Sequence, residues 1–343
     1  MFLKILSERK LFSADEQLEK LPGVFCPVTQ VLRKEKSGHY VFDVSGPPET
    51  ILILFEGSFL DSVNPKRILD NLTVVRDAIK NGGDGKGSFA IPETEELMKM
   101  LHCASIKPTS QKKADILLKI HDERTGTSPT AGFSIKSRLG GASTLLNASG
   151  ATNFIYSVSF KGKAPDQSDF KEKIQVSEIE KTGGVIEFER VESNVFEMNL
   201  REVDSSMHGI VAEMVLAFYE RKASSIADLS KIITEKNPHN INLGSHKDYY
   251  SIKIKNLLLH TALGMLPNTP WDGSIEALGG YIVAKENGEI VCYHVYDFDK
   301  LKEYLFLHTK LETPSTTRYG FGKLDGANRK HFIKLNLQIR FTH

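Results

Sequence analysis

At 343 residues, with 40% hydrophobic and 25% charged residues and a formal net charge of +1, the chain has the composition of a globular protein large enough for two cores or one elaborated one. Cys26, Cys103 and Cys292 are widely spaced and form no CxxC or Cys/His cluster, which excludes a disulfide framework and a zinc ribbon and points to a reducing cytoplasm. The N-terminus MFLKILSERKLFSADE lacks the apolar core of a signal peptide and no run of about 18 apolar residues occurs, so neither export nor membrane insertion is expected.

Residues 1–90 form a β-rich N-terminal region, with strands expected in VFCPVTQVLR, HYVFDVS and ETILILFEG, ending in the linker NGGDGKGSF. That linker is not a phosphate-binding loop, because Gly87 stands where a Ser or Thr must follow the lysine. Residues 91–165 form a candidate catalytic unit: a helix over 93–103, a hairpin, a polar tract and the strand NFIYSVSF. Residues 166–204 read as a charged hairpin connector, KTGGVIEFERVE followed by NVFEMNLREV. Residues 205–343 form a C-terminal α/β region. It holds helical patterns in HGIVAEMVLAFYERK, ADLSKIITEK and SIKIKNLLLHTALGM, a hairpin turning at Asn287-Gly288, and a last alternating strand, HFIKLNLQIRF.

The catalytic unit carries the most information. In ADILLKIHDE, Asp115 heads a strand in which Ile116, Leu118 and Ile120 alternate with Leu117, Lys119 and His121. RTGTSPT supplies turn residues, and in GFSIKS Phe133 and Ile135 alternate with Ser134 and Lys136. The hairpin brings Asp115 and Lys136 to the same end of a sheet. A carboxylate suits a hard cation such as Mg²⁺, which polarises a phosphate, and a neighbouring lysine offsets transition-state charge or orients water. The alternative reading is a surface aspartate at a strand entry and a solvated edge lysine. The tract RLGGASTLLNASGATNF, rich in Gly, Ser, Thr and Asn, is long for an ordinary loop. A short helix around Ser143 to Asn147, capped by Ser143 or Thr144, is expected in it.

An aspartate at a strand start, a lysine in the neighbouring strand and a preceding helix resemble the PD-(D/E)XK nuclease core, and GFSIKSRLGGASTLLNASGATNF resembles the HpaII family of type II restriction endonucleases. The resemblance implies an α/β (α+β) fold with a mixed central sheet flanked by helices, residues 91–165 being the nuclease core. It also implies Mg²⁺-dependent cutting of double-stranded DNA at a short GC-rich palindrome, CCGG-like, by a cytoplasmic enzyme with a cognate DNA methyltransferase as its functional partner. Asp115 would bind Mg²⁺, Lys136 would position or activate the attacking water, and Ser134 would take part by hydrogen bonding. Two features depart from the pattern. Ser134 occupies the place of the usual second carboxylate, and Ala114 that of a proline often found before the aspartate. Glu95, Glu96 and Glu123 are candidates for the missing ligand, Glu96 being preferred because some nucleases of this class take a ligand from that helix. His102 and His121 flank the expected site as candidate bases.

Charge is segregated along the chain: residues 99–138 carry eight Lys/Arg against three Asp/Glu, residues 318–343 six against one, and residues 165–204 five against eleven. Such segregation suggests a basic DNA-facing cleft, with Lys119, Arg138, Lys161, Arg318, Lys323, Arg329 and Lys330 as candidate phosphate contacts. Base reading is assigned to Asn147 and Asn153 in the polar tract and to TRYGFGKLDGANRKHF, with Asn328 among its candidates. A palindromic site is matched most economically by a two-fold homodimer. The alternatives are a catalytically decayed DNA-binding protein that keeps the nuclease fold, for which Ser134 speaks, one subunit of a multi-subunit restriction system, and a scaffold that binds no nucleic acid.

Overall fold

The structure, a computed structural model, describes residues 1–82, 91–104, 114–140, 142–160, 176–314, 319–327 and 330–342. The chain divides into two compact units, residues 1–143 with 275–304, and residues 144–274 with 305–342. These units cut across the four segments drawn from sequence, and the 91–165 stretch is split after Ser143.

The first unit opens with α1 (Phe2–Glu8), β1 (Lys10–Ala14), β2 (Lys20–Glu35), β3 (Gly38–Asp43), β4 (Ile51–Phe55), β5 (Ser58–Val63) and α2 (Lys66–Asn81). After a 3₁₀ turn at Pro92–Thr94 come α3 (Glu95–Met100) and the expected hairpin, β6 (Ile116–Ile120) and β7 (Thr130–Ser137). In the hairpin Ile116 faces Phe133 and Leu118 faces Ala131. Ile116, Leu118, Ile120 and Phe133 enter the core while Leu117 stays 45% exposed, as period-2 alternation requires. The hairpin closes tightly because residue 132 is glycine: a Cβ there would stand 2.6 Å from the Ala114 Cβ.

In the second unit the chain runs through β8 (Thr144–Leu146), β9 (Asn153–Phe160), α4 (Val176–Lys181), β10 (Gly184–Val191), α5 (Asn194–Val203), α6 (Met207–Tyr219), α7 (Ile226–Lys236) and α8 (Tyr249–Leu263). It returns to the first unit for the hairpin β11 (Gly280–Ala284) and β12 (Ile290–His294), and α9 (Phe298–Leu307) follows. The last strands, in the second unit, are β13 (Thr309–Leu311), β14 (Leu324–Ala327), β15 (Lys330–Asn336) and β16 (Ile339–Phe341).

The sheet of the first unit has the order β1-β12-β11-β7-β6-β2-β3-β4-β5. It is mixed, as expected: β11 runs parallel to β7 and β12 to β1, and the other neighbours are antiparallel. The long β2 also pairs with β1 through its first half, so six of the strands close on themselves. Its change of partner falls at Pro27-Val28, where proline offers no N–H to a ladder and the register shifts. The second unit holds the sheets β10-β9-β15-β14 and β13-β16-β8. The α6 helix is buried on nearly all sides, and the Tyr156 hydroxyl of β9 donates to its Ala212 carbonyl at 2.7 Å. Among the described residues no helix is long and apolar enough to cross a membrane.

Three sequence expectations are corrected. The helix expected at 143–147 is instead β8, held by antiparallel pairing to β16, and the nearby helical turn is a 3₁₀ segment at Gly150–Thr152 with a Ser149 capping box. NVFEMNLREV is the helix α5 rather than a strand: the Ser193 side chain caps it by accepting from the Phe196 N–H, and Phe196, Asn199 and Leu200 share its buried side at helical spacing. HFIKLNLQIRF is two strands, because the Leu337 N–H leaves the ladder to donate to the Thr152 carbonyl and Ile339–Phe341 joins another sheet.

Candidate active site

The site forms in the first unit where β6 begins and β7 ends. The Asp115 N–H donates to the Phe133 carbonyl at 2.9 Å, and its Oδ2 accepts from the Ile135 N–H at 2.8 Å. The strand edge thus orients an exposed carboxylate through its Oδ2, and among the described residues no hydrogen bond to Oδ1 is made. Because Phe133 and Ile135 point toward the core, Ser134 and Lys136 occupy the opposite face, shared with Asp115. Ser134 is buried and Lys136 half-buried. Burial lowers the Lys136 ammonium below its ordinary pKa, against the opposing pull of the Asp115 charge. The pair named from sequence is therefore brought within electrostatic reach.

On the far side of β7, β11 places Tyr281 beside Ser134 and Val283 beside Lys136. Tyr293 of β12 lies next along the same row, stacked at 5.3 Å on Tyr304 of α9. Arg138 follows β7, its N–H on the Ala284 carbonyl at 2.8 Å. Its guanidinium hydrogen-bonds Tyr304, whose hydroxyl burial pushes up to about 12, and lies 3.8 Å from the Glu286 carboxylate. Arg138 is thus partly engaged within the protein. Sequence reading missed the tyrosine layer, whose residues are far from Lys136 along the chain and carry no local motif.

Other candidates are placed less closely. Glu96 is exposed on α3. Just past that helix the His102 Nε2 lies 2.9 Å from the Asp61 Oδ2 on β5, the edge strand four places from β6, about 19 Å away at ordinary strand spacing. His121 lies at the opposite end of β6, about 20 Å from Asp115 at the rise of a strand, with its Nδ1 3.1 Å from the Ser128 hydroxyl. Neither histidine flanks the site, and both expectations are corrected. Glu123 is also at that far end. Among the described residues no group of three or more His, Cys, Asp or Glu side chains is placed to hold a metal ion. Asp115 is the carboxylate placed beside Lys136, and a carboxylate there fits Mg²⁺, a cation that keeps several waters and takes one or two carboxylates plus phosphate oxygens.

Lys119 is half-buried, and its charge helps hold the Asp43 carboxyl below its usual range, where hydrogen bonds from Ser45 and Gln30 outweigh the opposing effect of burial. In the second unit Asn147 and Lys323 are exposed. Asn153 is not available to DNA, which corrects the base-reading expectation. It is 1% exposed, donates through Nδ2 to the Glu192 carboxylate at 2.7 Å and the Tyr319 carbonyl at 2.8 Å, and accepts from the Asn336 Nδ2 at 2.7 Å. With both donors and the acceptor engaged, its role is structural. Asn153→Ala is expected to destabilise the protein by about 1–3 kcal/mol, the cost of leaving buried partners unsatisfied, measured by denaturant unfolding. Arg318, Arg329, Asn328 and Lys161 lie outside the described residues, as does the Lys330 side chain.

The model of the HpaII restriction endonuclease family matches residues 1–341 of the chain. The type II restriction enzyme HpaII of Haemophilus parainfluenzae is 39% identical over 343 residues, spanning 98% of this chain and 94% of that protein. No solved structure matches.

Proposed function

The chain belongs to the HpaII restriction endonuclease family, and from that premise we propose that it hydrolyses both strands of DNA, with Mg²⁺, at a short GC-rich palindrome of the CCGG kind. The reading is carried by the meeting of Asp115 and Lys136 at one end of the β6–β7 hairpin. We assign β6, β7 and their flanking elements to a PD-(D/E)XK-like core in which Ser134 replaces the second carboxylate.

Asp115 holds the ion, its carboxylate oriented by the Ile135 N–H. When bound, Mg²⁺ supplies Lewis-acid polarisation of the scissile phosphate and lowers the pKa of water. Lys136 orients the attacking water and offsets the charge that develops on the phosphoryl oxygens. Ser134 contributes a hydrogen bond on the same face. Glu96, exposed on α3, is proposed as a further ligand. Arg138, with Lys119, Asn147, Lys323, Arg318 and Arg329, is proposed to meet DNA, mostly through phosphates, giving salt-dependent affinity. A two-fold homodimer would match a palindrome, and a cognate methyltransferase would protect the cell's own sites. The proposed setting is the cytoplasm.

Incubating the purified protein with unmethylated plasmid and phage DNA, with and without Mg²⁺, and sequencing the fragment ends tests this reading. Discrete Mg²⁺-dependent fragments sharing one terminal sequence are expected. A second reading, a decayed nuclease that only binds DNA, is favoured by the buried serine at 134. Salt-dependent binding with intact DNA would establish it, unless adding a partner subunit restored cutting.

A further inference from the structure

Five tyrosines, at 156, 250, 281, 293 and 304, are among the largest fully buried side chains. Four have a partner: Tyr156 donates to the Ala212 carbonyl, Tyr250 to the Asn237 Oδ1 and Tyr293 to the Asp15 carbonyl, and Tyr304 is bonded to Arg138. Tyr281 differs. It has no exposed surface, and among the described residues its hydroxyl finds no hydrogen-bond partner. Leaving a buried hydroxyl unpaired costs stability, which phenylalanine in the same space would avoid. The position of this hydroxyl gives the cost a purpose. In the parallel β11–β7 ladder Tyr281 is the register partner of Ser134, so the two side chains stand on one face about 5 Å apart at the backbone. Asp115 is close enough for its charge to act on the phenol.

We propose that Tyr281 is a positioning residue of the cleavage centre: with Ser134 it forms a pair of hydroxyls that hydrogen-bond water held between Asp115 and Lys136, in the place of the missing second carboxylate. This rests on the assignment of Asp115 and Lys136 as the cleavage site. A carboxylate at position 134 would meet a cation directly. Two neutral hydroxyls instead fix its hydration water, which suits an ion that dehydrates reluctantly.

Tyr281→Phe in the full chain tests it. Without metal the variant is expected to melt at the wild-type temperature or above, because no hydrogen bond is lost. The Mg²⁺ concentration giving half of the Mg²⁺-induced rise in melting temperature is expected to increase about tenfold, and cutting at limiting Mg²⁺ to fall by about the same factor. Adding Ser134→Ala should cost less in the Tyr281→Phe background than alone, because the two hydroxyls act on one water. An unmoved Mg²⁺ midpoint overturns the inference, whether or not cutting falls. So does a metal-free melting temperature that drops in step with activity, or the absence of any Mg²⁺-induced rise in wild type. If Asp115→Asn is inactive while Tyr281→Phe responds to Mg²⁺ as wild type does, only this inference fails. Wild-type cutting by Asp115→Asn sinks the site assignment itself.

Discussion

Asp115→Asn is expected to stop DNA cleavage, by about 10³-fold or more, while leaving the protein folded and able to bind DNA in the absence of metal. The magnitude follows from losing one ion-holding charge, since metal stabilisation of the transition state is worth several kcal/mol and each 1.36 kcal/mol is tenfold in rate. The amide is chosen because it keeps the shape and the oxygen that accepts from the Ile135 N–H, so the hairpin end is preserved. Asp115→Ala would lose that hydrogen bond as well and confuse two effects. Fragment formation and DNA retention by gel shift, each with and without Mg²⁺, separate chemistry from binding. Wild-type turnover by the asparagine variant would remove Asp115 from the mechanism.

The hairpin was legible because its evidence is local: two alternating apolar faces, a turn of Gly, Thr, Ser and Pro between them, and polar residues at matching ends. Asp115 and Lys136 could be paired from that pattern alone. What sits across from Lys136 could not, because β11 pairs with β7 in parallel from far along the chain, and such pairing leaves no short-range signature. The tyrosine layer was thus invisible, and histidines near in sequence were wrongly drawn toward the site. Asn153 shows the same limit for polar residues. Its partners Glu192, Tyr319 and Asn336 are scattered, so in sequence it resembles a free loop asparagine. The α5 segment was misread because charge and β-former content outweighed its helical spacing and Ser193 cap. The similarity to the HpaII enzyme supports the family over the whole chain, and the residue roles are proposals that rest on the resemblance together with the hairpin geometry.

Lys136→Met is expected to lose cutting by about 10²–10³-fold or more, the range for removing one charge-stabilising group from an active site, without losing stability. The side chain is half-buried, and its ammonium is pulled below the ordinary lysine value by desolvation, which the Asp115 charge only partly offsets. Folding therefore disfavours the protonated lysine. The penalty is present in full below the folded-state pKa and is relieved as pH rises from there toward 10.5, because in that window the unfolded chain binds more protons than the folded one. Methionine fills similar space and carries no such penalty. The variant should unfold at the same or higher denaturant concentration than wild type at neutral pH, and the gap should narrow as pH is raised into the alkaline range. Arginine should not rescue the rate, since its planar guanidinium cannot replace a compact ammonium at one water. A destabilised methionine variant would mean that Lys136 is retained for packing and ion pairing. A stable, inactive one means that the fold tolerates a buried charge for its chemistry.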